Sequence, residues 1–390
     1  MTPSRRSRFQ FDASGERGEA VTHRQEGRKP KDRDFLRTRE GMFFCVTGYL
    51  HPPDRYTAYL KYSPASADVG RASADIVDTG RASVGKWRDG ETAYRRELPY
   101  YHVRTVEETI RHLEQRYPWY VHDCPVRGIR FSMVPRECVA RYYDPQERLQ
   151  EIMGGPRDPL EEEVQGLAME IAACAGVRLC DLGVTGSILI GLHNPEFSDI
   201  DLMVYGRANA RRVRRALREG GGDRIQGLSA EVIARWSRGI ADRFPLTVDQ
   251  ARYLAGRRWN YGFYGQRYFS VHPTRADAEI VERYGDHVYR GQGVARVRAL
   301  LVGAEDALFM PARYRVEGVH VLGGEPRAAK VREVVSYEGL YRDVADKGDE
   351  IEVRGKLESV DDRALRLVVG TAALGGQGYI RPYHQKGKAE

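Results

Sequence analysis

Asp199 and Asp201 stand one residue apart in the run SDIDLMVY. Side chains alternate along a strand, so both carboxylates point one way and Ile200 and Leu202 point the other. Two like charges so close repel, and burial raises the cost unless a cation sits between them. Mg²⁺ or Mn²⁺, which take oxygen ligands, would remove that repulsion. Just upstream, Gly186 lets the backbone come close to a phosphate, and Ser187 offers a hydroxyl and an N–H. Eleven residues lie between Ser187 and Asp199. These residue types in this order suit a nucleoside triphosphate held at glycine and serine, with metal on the two acids. An attacking hydroxyl would then be activated by a two-metal scheme.

The flanking elements must place these groups. Asp158 is a good N-cap, Pro159 suits a first helical turn, and Glu161 completes a capping box. Leu160, Val164, Leu167 and Ile171 then form one apolar face, and Gly176 ends the helix. VRLCDLGVTG reads as a strand, followed by the Gly-Ser turn, the acid strand and a helix over ANARRVRRALRE. QRYFSVHPTR (266–275) is the best later strand of the same sheet. It offers Ser270 and His272 on one face and no acid. Asp223, Asp277 and Glu279 fall in loop-like or helix-like surroundings, so no third metal ligand is assigned.

On Gly186, Ser187, Asp199 and Asp201, with their spacing and alternation, the chain resembles the nucleotidyltransferase superfamily typified by DNA polymerase β. The resemblance covers roughly residues 158–275. The whole chain is also similar to an uncharacterised group of archaeal predicted nucleotidyltransferases, through VSYEGLY and EVRGKLESV near its C-terminal end. The resemblance implies an α+β multidomain protein with a polymerase β-like core. It implies Mg²⁺-dependent transfer of a nucleotidyl group from an NTP to an acceptor, with Asp199 and Asp201 catalytic and metal-binding and Gly186 and Ser187 on the nucleotide. Active members add a third carboxylate on a later strand. Its absence here keeps an alternative open, a catalytically degenerate nucleic-acid-binding protein on the same scaffold.

Around this core, residues 1–34 read as a basic, disordered arm and 35–154 as an N-terminal α+β domain. The nucleotidyltransferase unit takes 155–284, and short β-runs over 285–390 suggest a small barrel-like domain. Within the N-terminal domain, MFFCVTGYL and YTAYLKY suggest a hairpin, and TVEETIRHLEQRY a helix capped by Thr105. The small-residue stretch that repeats GRAS reads as a long loop.

The chain has 390 residues and a net charge of +7, which favours a polyanionic partner such as RNA or another nucleic acid. Arg211, Arg214, Arg215 and Arg218 fall on one helical stripe, either against phosphates or as a solvated face. The run RRWNYGFYGQRYF interleaves arginine with aromatics, as core packing or as a stacking surface for bases. No window approaches the roughly 20 apolar residues of a membrane span. The five cysteines form no CxxC pair, which suggests a reduced, cytoplasmic setting.

Overall fold

The computed structural model describes residues 28–65, 87–98 and 102–383. Most of the expected arm, and the GRAS repeats, lie outside the described residues. The acid-bearing run forms a strand, Ile200–Tyr205, inside a five-stranded sheet. Leu182–Thr185 pairs with it antiparallel on one edge, and Arg267–Thr274 pairs parallel on the other. Tyr261–Tyr264 and Ile225–Gly227 extend the sheet. Ile200, Leu202 and Val204 enter a core shared with Leu160, Val164, Leu167 and Ile171 of the helix Pro159–Ala175. A strand period and a helix period thus meet on one apolar surface.

That helix begins as the sequence suggests. The Asp158 carboxylate accepts the N–H of Leu160 at 2.9 Å and of Glu161 at 3.0 Å. Gly176 ends it in the left-handed region, at φ +62. Glu161 does not close a capping box. Its carboxylate instead takes the Arg157 N–H at 2.8 Å and the Arg148 guanidinium. The basic helix Arg207–Arg218 lays Ala210 and Val213 on the same core.

An eight-stranded sheet forms the N-terminal unit. Phe43–Val46 and Arg55–Pro64 pair as the expected hairpin. The helix Val103–Arg116 starts two residues before Thr105 and is capped by His102, whose Nδ1 accepts the Arg104 N–H at 3.3 Å. Thr105 donates its hydroxyl to the His102 carbonyl at 2.8 Å. Residues 28–34, expected in a loose arm, are packed into the protein. The Arg28 guanidinium makes two contacts with Asp34, at 2.7 and 2.8 Å, and a third with Asp144. The Lys31 ammonium reaches Asp277 at 2.8 Å. Burying these charges requires such pairing, and the pairs fix the segment's path.

In the C-terminal sheet, pairing runs through Tyr289–Asp306, Ala312–Gly324, Glu333–Ser336, Ala364–Val369 and Glu350–Val360. Glu350–Val360 also pairs back onto Tyr289–Asp306. The helices Ala230–Arg243 and Val248–Gly256 place Ile240, Ala251 and Leu254 in this third core. In the opposite direction, Leu308 and Phe309 enter the core of the acid strand. Leu189, Ile190 and Leu192 join Phe35, Phe43 and Tyr94 of the N-terminal unit. Side chains therefore cross both positions, 155 and 285, where the sequence suggested boundaries.

Candidate active site

Asp201 lies opposite Thr185 on one neighbouring strand and Ser270 on the other. Its side chain keeps 29% of its exposure. The Ser270 hydroxyl donates to Asp201 Oδ1. His272 Nε2 is 3.3 Å from the same oxygen and 2.6 Å from Ser270 Oγ. On the far side of the ring, Arg342 Nη2 donates to His272 Nδ1 at 3.3 Å. An accepting Nδ1 puts the ring proton on Nε2, aimed at Ser270 and Asp201. Burial, and next the charge of Arg33, lower His272 to about 3, so the ring is neutral at pH 7. Burial would raise Asp201, but His272, Arg33 and Lys61 outweigh it and hold the carboxyl well below the usual range.

The second carboxylate oxygen lies over Gly186. A Cβ at Gly186 would stand 2.5 Å from Asp201 Oδ2, and the backbone there has φ +72. Both space and conformation therefore require glycine. Ser187 follows, and the loop returns to an exposed Asp199 at the foot of the strand. Short polar contacts shape this loop. Asn194 Oδ1 accepts the Glu196 N–H at 2.8 Å, and Ser198 Oγ accepts the Asn194 N–H at 2.9 Å. Arg267 clamps it, donating to the carbonyls of Pro195 at 2.7 Å and Ser198 at 3.2 Å, and to Glu163 at 2.6 Å.

Ser187, Asp199, Asp201, Ser270 and His272 line one cleft of about 920 Å³. All three sheets contribute walls, among them Lys61, Tyr261 and Arg366. The aromatic run divides between two roles. Tyr264 and Phe269 are core, and Trp259 is buried with its Nε1–H donated to Asp343 at 2.8 Å. Tyr261 and Tyr268 stack at 6.1 Å on the cleft wall.

Ser270, in register with Asp201, occupies the strand on which a third carboxylate was sought. Among the described residues, no third His, Cys, Asp or Glu ligand atom groups with Asp199 and Asp201 within 4.8 Å. The group that does lie that close is Asp158, Glu161 and His193. Its atoms already serve the helix cap, the Arg148 pair and a 2.8 Å bond from His193 to Asp158. That is a structural knot at the start of a helix. Of the later acids, Asp277 pairs with Lys31, and Glu279 accepts the Arg207 N–H at 2.9 and 3.0 Å. Asp223 is exposed.

The arginine stripe does not form one free face. Arg214 meets Asp343 at 2.7 and 2.8 Å and Asp346 at 3.0 Å, and Arg218 lies 3.7 Å from Asp343. The sequence expectation is corrected for these two. They dock the helix on the C-terminal unit, through acids more than 120 positions away that helical spacing could not reveal. Arg211 and Arg215 are exposed. Sequence reasoning also missed Arg33 and Lys61, which line the cleft and act on Asp201.

A nucleotidyltransferase domain model matches residues 179–250, which span the Gly-Ser turn, both acids and the basic helix. Over 363 residues the chain is 30% identical to an uncharacterized protein, MJ1086, of Methanocaldococcus jannaschii, covering 90% of this chain and 99% of that protein. No solved structure matches the chain. Among the described residues, no helix is long and apolar enough to cross a membrane.

Proposed function

This chain belongs to the nucleotidyltransferase superfamily, in one family with the M. jannaschii protein, and we propose that it moves a nucleotidyl group from an NTP to a nucleic-acid acceptor. The observation that carries the reading is the convergence of Ser187, Asp199 and Asp201 on one cleft whose other walls mix cations with aromatic rings. Such walls suit phosphates and bases together. The cleft, at about 920 Å³, is of small-molecule size, so the acceptor enters as the end of a strand rather than as a duplex.

The donor set suits Mg²⁺. It is all oxygen, and Mg²⁺ is commonly held by one or two carboxylates plus substrate phosphates. Asp201 Oδ2 faces the gap that a Cβ at Gly186 would fill, and Asp199 is open to the cleft. When bound, the ion would screen the phosphates and ease ionisation of the attacking hydroxyl. The chain's own residues do the rest. Ser187 orients the phosphates, and the neutral His272 and Ser270 keep Asp201 ionised and aimed. The acceptor oxygen forms a bond to the α-phosphorus, and the bond from that phosphorus to its bridging oxygen breaks. Pyrophosphate leaves with the electron pair, and the hydroxyl proton passes to solvent.

A polymerase β-like core and a barrel-like C-terminal unit are part of the same proposal. The strand pairings that return from Glu350–Val360 to Tyr289–Asp306 support the barrel. Arg211 and Arg215 are proposed to meet the acceptor's phosphates. The cysteines Cys45, Cys124, Cys138, Cys174 and Cys180 are free, which supports a cytoplasmic setting. The missing third ligand favours a second reading, a binding protein without turnover.

Labelling tests both. Purified chain with Mg²⁺ and labelled NTPs should label an acceptor in a cell-derived RNA pool, and Asp201→Asn should not. RNA binding without label would establish the second reading. Label on protein or small molecules alone would keep the chemistry and discard the RNA acceptor.

A further inference from the structure

We propose that Arg33 and Lys61, carried by the N-terminal unit, are triphosphate-binding cations of the Asp199–Asp201 site. The inference rests on the nucleotidyl-transfer reading and completes it. A bound triphosphate needs positive charge beyond what a metal on two acids provides. The motif does not supply it, since the sequence contains no Lys or Arg between Arg178 and Arg207. On the next helix, Arg214 and Arg218 face Asp343 instead of the cleft, and Arg211 and Arg215 are assigned to the acceptor. Two further cations of the cleft face acceptors of the protein itself. Arg275 pairs with Glu282 at 3.1 Å and Asp306 at 3.2 Å, and Arg258 donates to the carbonyls of Gly339, Leu340 and Arg342.

Arg33 and Lys61 line the same cleft as Ser187, Asp199 and Asp201. Arg33 is held there by its backbone. It sits at φ +69, a conformation that residues with a Cβ rarely adopt and that persists only where neighbours enforce it. Here they do. The Arg33 N–H donates to the Val46 carbonyl at 2.9 Å, and the Thr185 hydroxyl donates to the Arg33 carbonyl at 2.7 Å. Thr185 directly precedes Gly186 and lies opposite Asp201, so the tie runs to the phosphate turn. On either side, Asp32 accepts the Gly48 N–H at 3.1 Å and Asp34 is locked to Arg28. Within Lys31–Leu36, Arg33 alone is only half-buried and its neighbours are buried. Lys61 is 4% exposed on Arg55–Pro64, with its ammonium 5.3 Å from the centre of the Phe35 ring. Both charges act on Asp201.

The test measures binding of ATP with Mg²⁺, and of inorganic tripolyphosphate with Mg²⁺, to the full chain. Wild type should bind both. Arg33→Gly should weaken both roughly tenfold, the loss of one charge-assisted contact. Glycine suits φ +69, so the change adds no backbone strain, and a melting curve of the free protein checks that the variant is folded. Lys61→Met should weaken both ligands to the same degree. Should it fail to fold, Arg33→Gly alone decides. Wild-type affinity in a folded Arg33→Gly overturns the inference and leaves the nucleotidyl-transfer reading standing. No binding of ATP by wild type overturns both.

Discussion

Glu338 lines the cleft in the C-terminal unit and is 7% exposed. Among the described residues its Oε1 has no hydrogen-bond partner, and His102 Nε2 stays 3.9 Å away. Burial lifts the carboxyl to about 7, against a bond from the Val103 N–H that lowers it. Moving a carboxyl from 4.5 to about 7 corresponds, at roughly 1.4 kcal/mol per pH unit, to about 3 kcal/mol. The folded state holds this proton more tightly than the unfolded chain. The group therefore costs stability above pH 7, and that cost fades as pH falls toward 4.5. Glu338→Gln keeps the shape and an oxygen for the Val103 N–H but never ionises. The variant should be more stable than wild type by up to about 3 kcal/mol at pH 8, and equal to it near pH 4.5. Urea melts of both proteins across this range give the difference, in which all other titrating groups cancel. Parallel curves would refute the reasoning, because they would mean that Glu338 has an ordinary affinity for its proton in the folded state.

Arg214→Gln should cost about 1–3 kcal/mol in urea unfolding, because it removes one charged partner from both Asp343 and Asp346, and should leave the salt dependence of RNA binding unchanged. The opposite pattern would return Arg214 to the phosphates. Arg211→Gln with Arg215→Gln should flatten the slope of log affinity against log salt by roughly one unit per contact, without loss of stability. Gly186→Ala should cost about 1–2 kcal/mol and shift Asp201. It should abolish the rise in melting temperature that ATP with Mg²⁺ is expected to produce in the wild type. A retained rise would show that the close approach of Gly186 to Asp201 is not needed for nucleotide binding.

Local patterns were legible in the sequence wherever local physics decides. The Asp158 cap and the Gly176 stop each depend on residues within a few positions, and the structure holds both, whereas the acid strand begins at Ile200 and leaves Asp199 just outside it. Long-range charge pairing was not legible. Arg28 to Lys31 look like a solvated tail until Asp34, Asp144 and Asp277 are brought around them. Arg214 looks like a surface cation until Asp343 arrives. The helices Ala230–Arg243 and Val248–Gly256 belong to the third core, a choice made by Ile240 and Leu254 meeting residues beyond 290. The one available signal was negative, the absence of any Lys or Arg from 179 to 206.

The two acids, Asp201 on the strand and Asp199 just before it, are unequal, and that inequality makes the pair tolerable. Asp201 is compensated inside the protein by the Ser270 hydroxyl, the His272 ring and the charges of Arg33 and Lys61. Asp199 is open to solvent, where its charge costs little. Placing Ser270 and His272 beside Asp201, instead of a third carboxylate, changes the arithmetic of the site. A divalent ion would cancel two acids, where three would keep a negative charge. The donors that replace the third acid are neutral, so they orient Asp201 without adding repulsion. In such a site the acids alone attract metal less strongly, and the nucleotide's phosphates become the larger part of the ion's coordination. Metal and nucleotide would then arrive together, and Arg33 and Lys61 would meet the phosphate charge that the ion leaves uncancelled.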